Sequence, residues 1–306
     1  MSRVGQPASA SLVELHLGPT IDTAYRAMAK AFARAGLETP ETDARFLLQG
    51  ILQRSPTDIV LARDMPLSKE DIDRLEAAAR RRLDHEPVSR ILGERSFYGR
   101  DFIVTPDVLD PRPDTETVVD EVLKLAQASG VPQNQLRIVD VGVGSGAILL
   151  TLMAELPEAR GVGTDISPRA LAVAQRNAER LGMLDRIELV ETDMLEGVTG
   201  PVHILVSNPP YIPAGDIAGL SRDVREHDPQ EALDGGPDGL KFYRKLSNFI
   251  SKMSGNIAVC VEVGAGQAAE VRSLLLGALQ GAGTLESWFS KDLGGHIRCV
   301  TVERHS

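Results

Sequence analysis

The sequence predicts an α/β fold in which a small helical domain and a hairpin linker precede a parallel sheet. Apolar residues at helical spacing dominate the first third, and strand-like and helix-like runs alternate after Asp114. A chain of 306 residues with 42% hydrophobic content is long enough for two domains. We therefore assign residues 1–86 to a helical domain, residues 87–112 to the linker and residues 113–306 to the α/β domain.

The first two segments are predicted from apolar spacing and turn residues. Between Ile21 and about Asp84, apolar residues recur every three or four positions, which is typical of helices. Thr39-Pro40 and Ser68 are residue types that begin helices. From Arg90 to Val104, alternating residues around Gly99 predict a hairpin.

The last segment begins with a helix from Asp114 to about Ala128 and continues with alternating elements. The elements predicted after it are strand Arg137–Val141, helix Ile148–Glu155, strand Gly161–Asp165, helix Pro168–Leu181, strands Ile187–Glu191 and Val202–Ser207, helix Gly239–Lys252, and strands Asn256–Val263 and Ile297–Val302. Strands separated by helices pair in parallel, and ligands bind at the carboxyl edge of such sheets. The sequence therefore predicts a parallel sheet with a binding site at that edge.

The charge of the chain argues against a general affinity for phosphate backbones, because the net charge is -10 and the pI is about 5.2. The strongest positive cluster, Arg80-Arg81-Arg82, lies near Glu76 and Asp84 and is predicted to be a solvated helix face. We therefore expect no nucleic-acid partner.

Location is predicted from the cysteines and from apolar runs. Cys260 and Cys299 lie in apolar strand-like runs, which indicates buried thiols rather than a disulfide or metal site. No run approaches the roughly 20 apolar residues of a membrane span, and Met1–Ser11 lacks the pattern of an export signal. We expect a cytoplasmic protein without a membrane partner.

A glycine-rich turn follows the first strand of the α/β domain. Asp140 ends that strand, and Gly142, Gly144 and Gly146 open a helix, so the backbone can approach a nucleoside beside helix amides. The Gly-x-Gly-x-Gly spacing differs from the dinucleotide pattern, and Asp140 would lie unfavourably near a pyrophosphate. S-adenosylmethionine has no phosphate and is compatible with this turn, and a tight strand-to-helix connection without a ligand is the alternative interpretation.

Two further acidic residues extend the cofactor prediction. Asp165 ends the next strand, about 20 residues beyond the last glycine, where its carboxylate can accept both hydroxyls of a ribose. Asp193 follows the strand Ile187–Thr192, where its carboxylate or the adjacent backbone can reach an adenine, with Met194 packing on the ring. An exposed turn is the alternative interpretation of Asp193.

The turn Asn208-Pro209-Pro210-Tyr211 follows the apolar run Ile204–Val206 and predicts an acceptor pocket. The prolines stiffen the turn and remove two amide donors, so that Asn208 Oδ1 and the Pro209 carbonyl can accept both hydrogens of an NH2 group. This arrangement aligns a poorly nucleophilic nitrogen with the methyl donor and stabilises the positive charge that develops there, while Tyr211 packs over the planar group. No general base is required if the proton leaves to water. The two pockets together predict an amino methyltransferase.

These motifs resemble the release factor glutamine methyltransferases of the HemK/PrmC type, and the resemblance covers most of the chain. The motifs that carry it are Pro87-Val88, Ile91–Arg95 with Phe97, Pro111–Glu116, the glycine loop, Ser207–Ile212, Ala232–Gly236 and Asp238–Leu240. The resemblance implies a Rossmann-like, class I S-adenosylmethionine-dependent methyltransferase domain. It also implies methylation of the side-chain amide nitrogen N5 of the glutamine in the Gly-Gly-Gln motif of peptide chain release factors. Residues 1–86 would then form a substrate-recognition domain.

Site residues follow from the motifs and from the resemblance. Catalytic roles are expected for Asn208, Pro209 and Tyr211. Cofactor binding is expected for Asp140, Val141, Gly142, Val143, Gly144, Asp165, Asp193, Met194 and Asn208. Substrate binding is expected for Asn208, Pro209, Pro210, Tyr211 and Arg112. The six histidines show no ligand spacing, so no metal site is predicted.

Other functions remain as alternatives at this point. Methyltransferases that modify a ribosomal-protein glutamine share the Asn-Pro-Pro-Tyr turn but usually lack the Arg112–Glu116 run. DNA adenine N6-methyltransferases use a similar turn but must flip a base and bind its flanking backbone, for which this acidic chain lacks a basic segment. A nicotinamide dehydrogenase is disfavoured by the glycine spacing, and an inactive binding module by the presence of Asp140, Asp165 and Asn208.

Overall fold

The computed structural model describes residues 15–281 and 283–305. The chain forms two compact units, Met1–Gly93 and Glu94–Ser306. The segment Met1–Ser11, for which no export signal is predicted, lies outside the described residues. Among the helices of the described part, none is long and apolar enough to cross a membrane. The assignment of residues 1–86, 87–112 and 113–306 to three functional segments stays a prediction.

The first unit is helical, as the spacing of its apolar residues predicts. Its elements are α1 (Ile21–Arg34), α2 (Pro40–Leu52), α3 (Pro56–Leu61), α4 (Lys69–Leu83) and α5 (Val88–Leu92). Ser68 caps α4 by accepting a hydrogen bond from the Asp71 amide, and α2 begins with a proline, whose missing amide costs nothing in a first turn. Phe32, Leu47 and Leu75 are fully buried between these helices.

The arginine run at the end of α4 differs from its prediction. Arg80 and Arg81 are exposed, but Arg82 is buried, and its Nε donates to Asp43 Oδ2 at 2.7 Å. The prediction of a solvated face is therefore wrong for Arg82. The reason is that α4 packs on α2, where Asp43 supplies a charged partner 39 positions earlier in the chain.

The second unit begins with an antiparallel hairpin of β1 (Glu94–Phe97) and β2 (Arg100–Ile103). Tyr98 and Gly99 form its two-residue turn, with φ angles of 50° and 73°. The predicted hairpin began too early, because Arg90 lies in α5, which ends at Gly93 with a φ of 75°. Left-handed backbone at Gly93 ends the helix and redirects the chain into the strand.

A seven-stranded sheet with order β5-β4-β3-β6-β7-β9-β8 forms the centre of the second unit. Its strands are β3 (Arg137–Val141), β4 (Arg160–Asp165), β5 (Ile187–Glu191), β6 (Ile204–Ser207), β7 (Ile257–Glu262), β8 (Thr284–Lys291) and β9 (Ile297–His305). Its helices are α6 (Glu116–Ala128), α7 (Ala147–Glu155), α8 (Pro168–Arg180), α9 (Arg222–Arg225), α10 (Lys241–Ile250) and α11 (Ala268–Leu279). Buried residues alternate between two apolar clusters along the strands, which is typical of a sheet covered on both faces.

The predicted parallel arrangement is confirmed for β3 to β7 and wrong for the end of the chain. β9 pairs with β7 in antiparallel orientation, and β8, which was not predicted, pairs with β9. The short loop between Lys291 and Ile297 allows the pairing of β8 with β9, because antiparallel neighbours need no crossover helix. Cys260 and Cys299 are buried free thiols on these strands, as predicted.

The order of the strands brings the predicted motifs together. β3 lies between β4 and β6. After β3 the chain adds β4 and β5 on one side of this strand, and it then crosses over to add β6 on the other side. Loops after such neighbouring strands diverge and leave a crevice at the carboxyl edge. The glycine loop after β3, Asp165 at the end of β4 and Asn208 after β6 border this crevice.

Candidate active site

A cleft of about 630 Å³ opens at the carboxyl ends of β3, β4 and β6, within the second unit. This size suits a nucleoside-like ligand. Ten of the predicted site residues line the cleft: Arg112, Val141, Gly142, Val143, Gly144, Asp165, Asp193, Met194, Asn208 and Pro210. Three predicted residues, Asp140, Pro209 and Tyr211, do not line it. Sequence motifs therefore located the cleft, and the structure separates residues that face it from residues beneath it.

The glycine loop is held against the neighbouring strand by its own amides. The amides of Gly142 and Val143 donate to the Thr164 carbonyl at 2.8 and 2.9 Å, and the Gly144 amide donates to Asp165 Oδ2 at 3.0 Å. Gly142 and Gly144 have φ angles of 77° and 54°, which a side chain disfavours. The loop is therefore a rigid wall whose backbone lies open to the cleft.

Asp165 presents a half-buried carboxylate whose oxygens each already accept one amide hydrogen bond. Oδ1 accepts from Ser167 at 2.9 Å, and Oδ2 accepts from Gly144 at 3.0 Å. Burial raises the pKa of Asp165, and the amides of Ser167 and Gly144 oppose this shift. Because a carboxylate oxygen has two lone pairs, each oxygen can still accept one hydrogen bond from a hydroxyl of a ligand.

Asp140 lies beneath the glycine loop, where it is only 1% exposed. Neither of its carboxylate oxygens has a hydrogen-bond partner among the described residues. Burial raises the pKa of Asp140 to about 7, and the nearby Leu149 amide opposes this shift without making a hydrogen bond. Asp140 does not line the cleft, and its predicted role in cofactor binding stays a prediction.

Asp193 and Met194 also border the cleft. Asp193 forms an ion pair with Lys245, with both side chains partly exposed. Met194 is buried and has a φ of 64°, an uncommon backbone conformation that turns the chain at this border. The carboxylate of Asp193 is thus partly engaged, and the roles predicted for both residues toward an adenine stay predictions.

Asn208 follows β6 directly and has a defined orientation in the cleft. Ser207 Oγ donates to the Val141 carbonyl at 2.6 Å and ties the end of β6 to β3. The Nδ2 atom of Asn208 donates to Thr115 Oγ1 at 3.2 Å. With its amino group engaged in this way, Asn208 has its Oδ1 atom left to accept a hydrogen bond from a ligand.

Tyr211 points below the turn rather than lining the cleft. Its hydroxyl donates to Glu262 Oε1 at 3.3 Å, and burial raises its pKa well above the ordinary value. Glu262 itself is buried, and burial raises its pKa to about 7, while the hydroxyls of Thr115 and Tyr211 oppose that shift. The predicted packing of Tyr211 over an acceptor amide therefore stays a prediction.

Glycines and a glutamine support the turn from below. Gln267 Nε2 donates to the Tyr211 carbonyl at 2.9 Å. A Cβ atom on Gly239 would lie 2.3 Å from that carbonyl oxygen, and one on Gly235 would lie 2.9 Å from the Pro210 carbonyl oxygen. The Ala232–Gly236 and Asp238–Leu240 motifs thus allow a close backbone approach beneath the turn. Both motifs contribute to the family resemblance, but no role for them was predicted from the sequence.

Arg112 lies at the rim of the cleft and is held there by a buried carboxylate. Its Nη2 donates to Asp228 Oδ2 at 2.6 Å, and the Asp228 side chain is only 1% exposed. The cleft has further lining residues that sequence reasoning missed, among them Pro106–Leu109, Thr115, Pro229 and Phe242. Only Thr115 carried a signal, because it belongs to the motif Pro111–Glu116.

Two family models match the chain. The PrmC N-terminal domain matches residues 23–93, and the methyltransferase small domain matches residues 121–219. The catalytic domain of hMettl16, solved in complex with MAT2A 3'UTR hairpin 6, superposes with a TM-score of 0.51 at 15% identity, over 76% of this chain and 81% of that one. This likeness supports the fold alone.

Curated relatives match nearly the whole chain. The release factor glutamine methyltransferase of Rhodospirillum rubrum is 43% identical over 304 residues, which cover 99% of this chain and 89% of that protein. The release factor glutamine methyltransferase of Bradyrhizobium diazoefficiens is 42% identical over 288 residues, which cover 94% and 96% of the two chains. Identity at this level over both units places the protein by descent: the chain belongs to the family of release factor glutamine methyltransferases.

Proposed function

We propose that the protein transfers the methyl group of S-adenosylmethionine to the side-chain amide nitrogen N5 of the glutamine in the Gly-Gly-Gln motif of peptide chain release factors. One observation carries the proposal: Asn208, with its amino group engaged by Thr115, leaves its oxygen for an NH2 group beside the glycine loop. The names of the relatives at 43% and 42% identity support the same acceptor.

The chemistry of the cleft fits the cofactor. The side chain of Asp165 lies in the cleft against the Gly144 amide, and its negative charge when ionised favours a ligand without phosphate. We assign the ribose hydroxyls to Asp165, the wall beside the methionine part to Val141–Gly144, and the adenine to Asp193 and Met194. Bound there, S-adenosylmethionine supplies a methyl group activated by its sulfonium.

The turn after β6 holds and orients the acceptor. Asn208 Oδ1 and the Pro209 carbonyl accept the two hydrogens of the glutamine amide, and Pro210, which lines the cleft, confines its plane. Tyr211 anchors the turn from beneath through Glu262. A planar amide nitrogen is a poor nucleophile because its lone pair is delocalised, so alignment with the methyl group is the main contribution of the protein. The N–C bond forms as the S–C bond breaks, and the two oxygen acceptors stabilise the positive charge on nitrogen until one proton leaves to water.

Recognition of a protein acceptor is assigned to the remaining parts of the chain. We propose that residues 1–86 form the substrate-recognition domain, with residues 87–112 as the linker and Arg112 at the edge of the acceptor pocket. The net charge of -10 supports a protein acceptor over a nucleic acid.

The test is methyl transfer from radiolabelled S-adenosylmethionine, with the label located by mass spectrometry. The acceptors are a release factor, its Gly-Gly-Ala variant, ribosomal proteins and adenine-containing duplex DNA. We expect label on the motif glutamine and none on the Gly-Gly-Ala variant. Label on DNA or only on a ribosomal protein would overturn the proposed acceptor, and the absence of transfer to every acceptor would overturn the proposed activity.

A further inference from the structure

An ion pair at the border of the cleft has no part in the mechanism so far. Lys245 Nζ donates to Asp193 Oδ2, and the two side chains are 43% and 42% exposed. Asp193 lines the cleft, whereas Lys245 belongs to α10 and lies 52 positions later in the chain. Ion pairs with this exposure contribute little to the stability of a fold. The main effect of this ion pair is therefore on the orientation of the Asp193 side chain.

The backbone is anchored on both sides of this ion pair. On α10, Leu246 follows Lys245 directly and is fully buried. After Asp193, the side chains of Met194 and Leu195 are buried in the same apolar cluster as Leu246. Because neither backbone is free to shift, the ion pair determines where the Asp193 carboxylate lies.

Asp193 lies beside the residue that we assign to the ribose. β4 and β5 pair in parallel with Asp165 opposite Glu191, and the Thr192 amide donates to the Asp165 carbonyl at 3.0 Å. The strand order β5-β4-β3 places Asp193 on one side of Asp165 and the glycine loop on the other. With the methionine part of the cofactor assigned to the glycine loop, a ribose at Asp165 leaves its base on the side of Asp193.

The face of α10 that carries Lys245 also borders the cleft. Phe242 lies three positions before Lys245, and residues at this spacing are neighbours on a helix surface. Phe242 lines the cleft and is only partly buried. Its ring can offer an apolar surface to a planar base, while Asp193 can offer an oxygen to the edge of that base.

The ion pair gives the Asp193 carboxylate a chemical preference. An ionised carboxylate only accepts hydrogen bonds. Lys245 occupies Oδ2, and Oδ1 makes no hydrogen bond with the described residues. Adenine carries an exocyclic amino group, which donates, whereas hypoxanthine carries a carbonyl oxygen at the same position, which accepts and is repelled by the carboxylate. An Oδ1 atom with a fixed position at the cleft therefore favours adenine over hypoxanthine.

We propose that Lys245 is a positioning residue for the cofactor base, because it holds Asp193 by one carboxylate oxygen while the other accepts a hydrogen bond from the exocyclic amino group of adenine. This inference rests on the proposed function, since it takes the base of S-adenosylmethionine as the ligand. Without Lys245, the Asp193 side chain rotates among several rotamers toward water and no longer distinguishes the two bases.

The test measures how strongly the full-length protein prefers adenine to hypoxanthine. Calorimetry gives the dissociation constants of S-adenosylhomocysteine and S-inosylhomocysteine, which differ only in the base. The variants are Lys245→Met, which removes the charge, Lys245→Arg, which keeps it, and Asp193→Ala. Lys241→Met is the matched control, because Lys241 is exposed on the same helix and forms no ion pair with the described residues.

We expect wild-type protein to bind S-adenosylhomocysteine on the order of 10- to 100-fold more tightly than S-inosylhomocysteine. Lys245→Met loses most of this preference, Lys245→Arg retains most of it, and Lys241→Met retains all of it. Asp193→Ala removes the preference, and adding Lys245→Met to Asp193→Ala changes it no further, because Lys245 acts through Asp193.

Several results would overturn the inference. One is equal binding of both analogues by wild-type protein. Another is a Lys245→Met variant that keeps the wild-type preference, including one that binds both analogues more weakly by the same factor, as a purely structural role predicts. An equal loss of preference in Lys241→Met would show a general effect of charge and would overturn it as well.

These outcomes differ from a failure of the proposed function. If wild-type protein binds neither analogue, the proposed cofactor fails, and the role of Lys245 is overturned with it. If wild-type protein prefers the adenine analogue but transfers no methyl group to a release factor, only the proposed acceptor fails, and the role of Lys245 is supported.

Discussion

Replacing Asp140 by asparagine tests the burial of a carboxyl group beneath the glycine loop. Burial raises the pKa of Asp140 from 3.8 to about 7. The folded protein therefore holds a proton on Asp140 at pH values where the unfolded chain has released it. Asparagine has nearly the same shape and cannot ionise, so Asp140→Asn removes this difference and leaves most of the packing in place.

The magnitude and sign follow from the shift in pKa. Between the unfolded pKa and the folded pKa, the unfolded chain has released the proton that the folded protein still holds on its buried carboxyl group. The unfolding free energy therefore falls as the pH rises through this range. A shift of about 3 units at about 1.4 kcal/mol per unit corresponds to about 4 kcal/mol of unfolding free energy. More than half of this loss, on the order of 2–3 kcal/mol, falls between pH ~5 and ~8. Relative to wild type, Asp140→Asn should gain that amount over the same range.

The assay is urea unfolding of both proteins, without cofactor, at several pH values in this range. Trp288 is the only tryptophan, and it packs against an apolar cluster of the second unit. Its fluorescence therefore reports on the unit that contains Asp140, even if the two units unfold separately. The raised pKa of Glu262, also about 7, affects both proteins equally and cancels in the difference.

A constant difference between the two unfolding free energies would refute the reasoning. It would mean that Asp140 is ionised in the folded protein and compensated by amides of the glycine loop. A difference that shrinks as the pH rises would show a lowered pKa, which contradicts burial as the dominant cause.

Three further substitutions address the cleft and the turn beneath it. Asn208→Ala should reduce methyl transfer on the order of 100-fold or more, because a preorganised acceptor is lost, while calorimetry shows cofactor affinity largely intact. Gly239→Ala should lower the unfolding free energy by at least about 1–2 kcal/mol in thermal melts, because φ is 75° and the new Cβ atom would meet the Tyr211 carbonyl oxygen at 2.3 Å. Asp165→Asn should weaken S-adenosylmethionine binding on the order of 10- to 100-fold by calorimetry, because hydrogen bonds from ribose hydroxyls to a charged group are lost.

Each of these has its own control and contrary outcome. Turnover of Asn208→Ala equal to wild type would contradict the proposed role of Asn208 as a hydrogen-bond acceptor for the glutamine amide. Gly215→Ala is the matched control for Gly239→Ala, since its Cβ atom meets nothing within 4 Å, and equal melting of both variants would contradict the close approach. Unchanged cofactor affinity in Asp165→Asn would remove Asp165 from the ribose site.

Much of the fold could be predicted because it depends on local patterns. Apolar spacing located the helices of the first unit, and the alternation of strands and helices located β3 to β7. β8 was missed because only its neighbour β9 shows a clear apolar run. The hairpin was placed too early because Gly93 resembles a turn residue of the hairpin, whereas it ends a short helix that contains Arg90.

Parts of the site were also predictable, because a chemical requirement acts on a few consecutive residues. Gly142 and Gly144 need positive φ angles, and the Asn208–Tyr211 turn needs stiff backbone without amide donors. Asp165 was found because the carboxyl end of the strand after a glycine loop lies at the same edge of the sheet.

The sequence by itself determined most of the elements, the glycine loop and the acceptor turn, since each of these is specified by neighbouring residues. Tertiary structure alone decided that Arg82 is buried against Asp43, that Asn208 meets Thr115, and that Tyr211 meets Glu262. Hydrogen-bond partners that are distant in the chain depend on strand order and helix packing. No local pattern encodes which of many polar residues will meet, because that choice is made only when the sheet and its helices pack together.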